Sequence, residues 1–120
     1  MRNNLPQKTQ VEFTSEFKRN LRMLAKKYRH IQSDIQPVIN QLQKGIVVGD
    51  QIPNVGYPIF KVRAINRDIQ KGKRSGYRLI YHCKTKTIIN LITIYSKLDQ
   101  SDISPKEIRK IVQELELNEG

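Results

Sequence analysis

The residues of this chain best suited to chemistry are cations set at strand spacing. In Phe60-Lys61-Val62-Arg63 a lysine and an arginine sit two apart, so in an extended segment both point to one side while Phe60 and Val62 point to the other. Further on, Lys71-Gly72-Lys73-Arg74 leads straight into Ser75-Gly76-Tyr77-Arg78-Leu79-Ile80-Tyr81, joining a basic loop to an apolar, aromatic strand. With Lys61, Arg63, Arg67, Lys71, Lys73, Arg74, Arg78, Lys84 and Lys86 set against Asp68 alone, residues 61–86 carry +8 of the chain's +11. Such a segment suits a polyanion. Arginine stays charged and matches a phosphate bidentately, whereas a lysine among other cations can lose its proton near neutral pH and act as a base. Lys61 is thus a candidate base or phosphate ligand, with Arg63 and Arg78 as candidate charge stabilisers. Plainer uses stand beside these: strand cations blunt an exposed sheet face, and a basic loop is often only solvated.

These residues need a scaffold, and the composition bounds it. A chain of 120 residues with a hydrophobic fraction of 38% fits one domain with one modest core. No window approaches the roughly 20 apolar residues of a membrane span, so no membrane association is expected. Residues 1–9 lack an apolar signal-like core and read as a flexible lead-in, with residues 10–120 forming the domain. A single cysteine, Cys83, and two histidines, His30 and His82, offer neither an internal disulfide nor zinc-ligand spacing. The expectation is a cytoplasmic protein with no metal and no cofactor.

In chain order, Gln10 to Phe13 alternates as an opening strand. Thr14 and Ser15 offer a helix cap, followed by Phe17, Leu21, Leu24, Ala25 and Tyr28 at helical spacing under a basic outer face. A second helix is expected from caps at Ser33 and Asp34, which would place Pro37 in its first turn, with Gly45 as the stop. Glycines and prolines from Gly45 to Pro58 predict a loop, long for a compact domain and therefore a candidate for function. Strands follow at Ile59 to Ile65, Tyr77 to His82 and Ile88 to Tyr95. The last is apolar at nearly every position, as for a central strand buried on both faces. Ser104-Pro105-Lys106-Glu107 is a capping box with proline at the first helical position, opening a helix whose stripe is Ile108, Ile111, Val112 and Leu115. The order predicts an α+β domain: an N-terminal strand and helical hairpin packed on a mainly antiparallel four-stranded sheet, closed by a C-terminal helix.

Phe60-Lys61-Val62-Arg63, Ser75-Gly76-Tyr77-Arg78-Leu79-Ile80-Tyr81, Ile92-Thr93-Ile94-Tyr95-Ser96-Lys97 and Ser101-Asp102-Ile103-Ser104, in that order, resemble the RelE/ParE superfamily of bacterial toxins. Within it, the pattern is similar to the RelE/HigB-like messenger-RNA endonucleases of type II toxin-antitoxin systems. The likeness spans roughly Val11 to Leu115 and implies a RelE-like fold. It also implies a ribosome-dependent, metal-independent endoribonuclease (an mRNA interferase) that cleaves messenger RNA and arrests translation and growth. Its partners would be the ribosome, messenger RNA and a cognate antitoxin, with operator DNA reached only through the antitoxin.

Matched position by position, the resemblance assigns Lys61, Arg63, Arg78 and Lys97 to gripping the messenger backbone while a ribose 2′-hydroxyl attacks the adjacent phosphate. Lys71, Lys73, Arg74 and Tyr95 are candidate RNA contacts, although a strand tyrosine such as Tyr95 more often serves sheet packing than base stacking. The chain departs from the RelE pattern at Leu98, where that pattern has arginine, and at Ser104, where it has tyrosine. Cleavage of this kind needs a base for the 2′-hydroxyl, stabilisation of the phosphorane and a proton for the leaving oxygen. Other classes stay open: a ParE-like poison of DNA gyrase, a non-catalytic RNA- or ribosome-binding module, and an inactive toxin.

Overall fold

In the computed structural model, which describes residues 9–69, 76–100 and 102–119, the opening strand β1 (Gln10–Phe13) is followed by helices α1 (Ser15–Lys27) and α2 (Ile31–Gln43). A two-residue strand β2 (Asp50–Gln51) comes next, then β3 (Ile59–Ala64), β4 (Tyr77–Cys83), β5 (Ile88–Ser96) and helix α3 (Pro105–Glu119). The strands form one sheet in the order β1-β5-β4-β3-β2. β1 runs parallel to β5, and every other pairing is antiparallel. The expected α+β architecture with its C-terminal helix is present.

Local chemistry explains most of the element boundaries. The Thr14 hydroxyl accepts the Phe17 N–H at 3.1 Å and starts α1. The Ser104 hydroxyl does the same for Glu107 at 3.1 Å and starts α3. α2 ends where Gly45 turns to φ +83°, with its N–H on the Leu42 carbonyl and that of Ile46 on the Gln41 carbonyl. This is the paired closure that a left-handed glycine permits.

Three features differ from the sequence reading. α2 begins at Ile31 after His30, not after Ser33 or Asp34, so Pro37 falls inside the helix rather than in its first turn. The reason is tertiary: Ile31 is buried in the core, and the Asp34 carboxylate turns away from capping to take up Arg67. The stretch expected as a loop from Gly45 to Pro58 contains β2, which pairs Asp50 with Lys61 and Gln51 with Phe60, making a fifth strand. The middle strand is β4, with β5 lying between it and β1.

The sheet divides two cores. α1 and α2 pack on one face through Phe17, Tyr28, Ile31, Ile35 and Leu42 against Leu79, Tyr81, Leu91 and Ile94. α3 covers part of the other face, where Ile103, Ile108 and Val112 meet Ile59, Ile80, Ile92 and Tyr95. A bulge between Ile80 and Tyr81 sets Thr93 opposite Ile80 but Leu91 opposite Tyr81, leaving Ile92 as the extra residue. That residue feeds the α3-side core, while Leu91 before it and Ile94 two residues after it remain on the helical-hairpin side.

Candidate nucleic-acid interface

The face of the sheet that α3 only partly covers carries the cations. Along β3, Val62 and Ala64 join the helical-hairpin core, so Lys61 and Arg63 alternate to the opposite face, as their spacing predicts. Register then assembles a row. Arg63 lies directly opposite Arg78 on β4, and Arg78 lies directly opposite Tyr95 on β5. Lys61 sits two residues back along β3, opposite Ile80. At the other end of the row, the Lys97 N–H donates to the Gly76 carbonyl at 3.0 Å, which places Lys97 beside the residue that enters β4. The structure thus brings Lys61, Arg63, Arg78 and Tyr95 together on one face, and Lys97 continues the line toward the β3–β4 connection. Lys71, Lys73 and Arg74 lie outside the described residues.

Electrostatics within the row are strained by like charge. Burial, followed by the facing Arg63 guanidinium, pulls Arg78 below the ordinary arginine value, while Tyr95 and Asp102 act in the opposite sense. The Tyr95 ring is buried in the α3-side core, so it presents its hydroxyl, rather than a ring face, to the row. Burial and then the nearby Asp102 carboxylate push that hydroxyl up to about 12, so it is a proton-bearing donor at neutral pH. Tyr77 and Tyr81 lie in the other core and take no part in the row.

Asp102 is the site residue that sequence reasoning missed. Its Oδ1 accepts from Lys61 Nζ at 3.3 Å, from the Tyr95 hydroxyl at 3.3 Å and from the Ile103 N–H at 2.8 Å. Burial works against its charge, but the Ile103 N–H and the Lys61 ammonium outweigh it, and the carboxyl falls below its usual value. Asp102 stands two residues ahead of the α3 cap, so its only local signal is an acid just before a helix start. Nothing in the spacing tells which strand side chain it faces. Lys61 enters the site already donating to a carboxylate, which suits a charged phosphate ligand better than a proton acceptor. The Lys61–Asp102 pair is largely open to solvent, with side chains 35% and 63% exposed. Pairs of this kind contribute about 0–1 kcal/mol, weak enough for an incoming phosphate to displace. A cleft of about 250 Å³ adjoins the pair, lined by Asp50, Gln51, Pro53, Ile103 and Pro105.

The connection that bears the basic loop is tied down at its near end. The Asp34 side chain, fully buried, accepts the Arg67 backbone N–H at 2.9 Å and its guanidinium. Asp68 accepts the His30 N–H at 2.9 Å and meets the His30 ring at 2.6 Å. The start of α2 therefore holds the segment that follows β3. Among the described residues, no three His, Cys, Asp or Glu side chains group as metal ligands, and no helix is long and apolar enough to cross a membrane.

Fold and site together define a small α+β sheet protein with a cationic row on the face flanked by its C-terminal helix. No family model and no curated protein matches the sequence. Among solved structures it is similar to the free-state structure of an arginine-to-alanine double mutant of the E. coli toxin RelE. The identity is 14% and the TM-score 0.51, over 79% of this chain and 90% of that one. The chain has a RelE-like fold.

Proposed function

We propose that this protein is the toxin of a type II toxin-antitoxin system, a ribosome-dependent endoribonuclease that cuts messenger RNA in the cytoplasm and is neutralised by a cognate antitoxin. The observation that carries this reading is the row Lys61, Arg63, Arg78 and Tyr95 on one sheet face of a RelE-like fold. Arg63 and Arg78, as register partners, can share one phosphate and stabilise the charge that builds on it as a 2′-hydroxyl gives its proton to solvent water, bonds to phosphorus and expels the 5′-oxygen, leaving a cyclic phosphate. Lys61 grips the same backbone, and Tyr95 holds a proton within the row for the leaving oxygen. Lys97 and the basic residues Lys71, Lys73 and Arg74 are further candidate contacts to the message.

The test is induction of the chain in a bacterial host followed by primer extension on an abundant messenger RNA. It is run beside a Lys61→Ala, Arg78→Ala double variant. New ends spaced in the reading frame that vanish in the variant are expected. Growth arrest with intact messages would refute cleavage and favour a gyrase poison or a binding module of the same fold.

A further inference from the structure

We infer that Asp102 is a positioning residue: one carboxylate oxygen, held by the backbone at the start of α3, fixes the Lys61 ammonium and the Tyr95 hydroxyl around the place where the RNA phosphate is bound. The inference rests on the proposed ribonuclease reading and deepens it.

Three observations carry it. Asp102 Oδ1 is 3.3 Å from Lys61 Nζ on β3 and 3.3 Å from the Tyr95 hydroxyl on β5, so a single atom links two strands that are not neighbours in the sheet. The same atom accepts the Ile103 N–H at 2.8 Å, which orients the carboxylate by its own backbone rather than leaving it to swing freely. That backbone is in turn anchored, because Ile103 is buried beside Ile108 in the core between α3 and the sheet. A flexible lysine stem has many rotamers, and one directed contact biases it toward those that reach Asp102 before substrate arrives. The helix thus reads out its position to the two donors through one side chain.

Charge supports the same assignment. The row is otherwise cationic, with Arg63 facing Arg78, and a lone lysine beside it would be pushed outward. Asp102 holds it in. The contact is exposed enough to rearrange when a phosphate arrives, so the carboxylate orders the donors without closing the site.

The test compares the intact chain with Asp102→Asn and Asp102→Glu in two measurements. In the first, ¹⁵N NMR of the lysine ammonium groups, with Lys61→Arg supplying the assignment, is expected to show the Lys61 signal shifted and exchanging faster in Asp102→Asn. In the second, cleavage of a programmed ribosome's message is followed as kcat and KM separately. Asp102→Asn is expected to lower kcat at least tenfold with KM unchanged or lower, because a negative charge is lost beside the phosphate path, and Asp102→Glu to restore part of kcat. An unaltered Lys61 signal overturns the inference whatever happens to RNA. So does an unaltered or raised kcat, which would make the carboxylate an obstacle to RNA. If the intact chain makes no cuts, the ribonuclease reading has failed, and the Lys61 signal alone decides whether Asp102 orders it.

Discussion

Arg63 on β3 and Arg78 on β4 are direct cross-strand partners, two guanidinium groups on one face of the sheet with no residue between them. Like charges so placed disfavour the pairing, and Arg63 accordingly adds to the lowering of Arg78. Replacing the exposed Arg63 with Gln is expected to leave stability within about 0.5 kcal/mol while abolishing message cleavage. A loss of both stability and cleavage would show that the pair is structural rather than poised for an anion.

Gly49 lies against the strand that bears Lys61. It has φ +89°, and a Cβ there would land on the Lys61 carbonyl and against the Val62 Cβ. Gly49→Ala combines a disfavoured backbone with overpacking and is expected to destabilise by at least about 2 kcal/mol. Gly56→Ala, where φ is +87° but nothing lies within 4 Å, is expected to cost roughly 1 kcal/mol. Chemical denaturation of the two variants checks the difference, and equal losses would refute a close approach at Gly49.

Asp34 acts at a distance. Its buried carboxylate satisfies the Arg67 N–H and guanidinium, and its removal leaves the N–H without that acceptor at a cost of about 1–3 kcal/mol. Asp34→Ala should therefore lower the urea midpoint and also weaken RNA binding, because the segment entering the basic loop loses its anchor. Full RNA affinity in a folded Asp34→Ala variant would show that the anchor does not matter to the interface.

Stability should fall at both ends of the pH range. Asp68 is held below its ordinary 3.8 by the His30 N–H and then the His30 side chain, and Asp102 is also lowered. A depressed carboxyl stabilises the fold above its unfolded value and ceases to do so as pH drops through its folded one, so loss sets in below about pH 4. Tyr95 runs the other way, raised from 10.0 to about 12 by burial and then Asp102. Its contribution is complete below pH 10 and disappears as pH climbs toward 12. Urea midpoints against pH should show both limbs, with Tyr95→Phe making the alkaline one shallower only in part, because burial also raises Tyr77 and Tyr81. An alkaline limb unchanged in that variant would assign it to other groups.

The parts of this molecule legible in the sequence are those written within a few neighbouring residues. The cap at Ser104, the proline after it and the Ile108 stripe specify α3 without outside help. The two-residue period of Lys61 and Arg63 sends both to one face because strand geometry alternates whatever the partner. What the tertiary structure decided is which of these faces meet. Parallel pairing of β1 with β5 joins residues at opposite ends of the chain, and the two residues of β2 form a strand only because β3 offers them an edge. His30 rather than Asp34 precedes α2 because Arg67, 33 residues later, claims the Asp34 carboxylate. Asp102 became a site residue only when α3 packed beside Ile59 and Ile80 and carried its leading loop to Lys61 and Tyr95. An acid's side-chain chemistry is local, but its partner is set by strand register and helix placement, and those follow from burying the two cores.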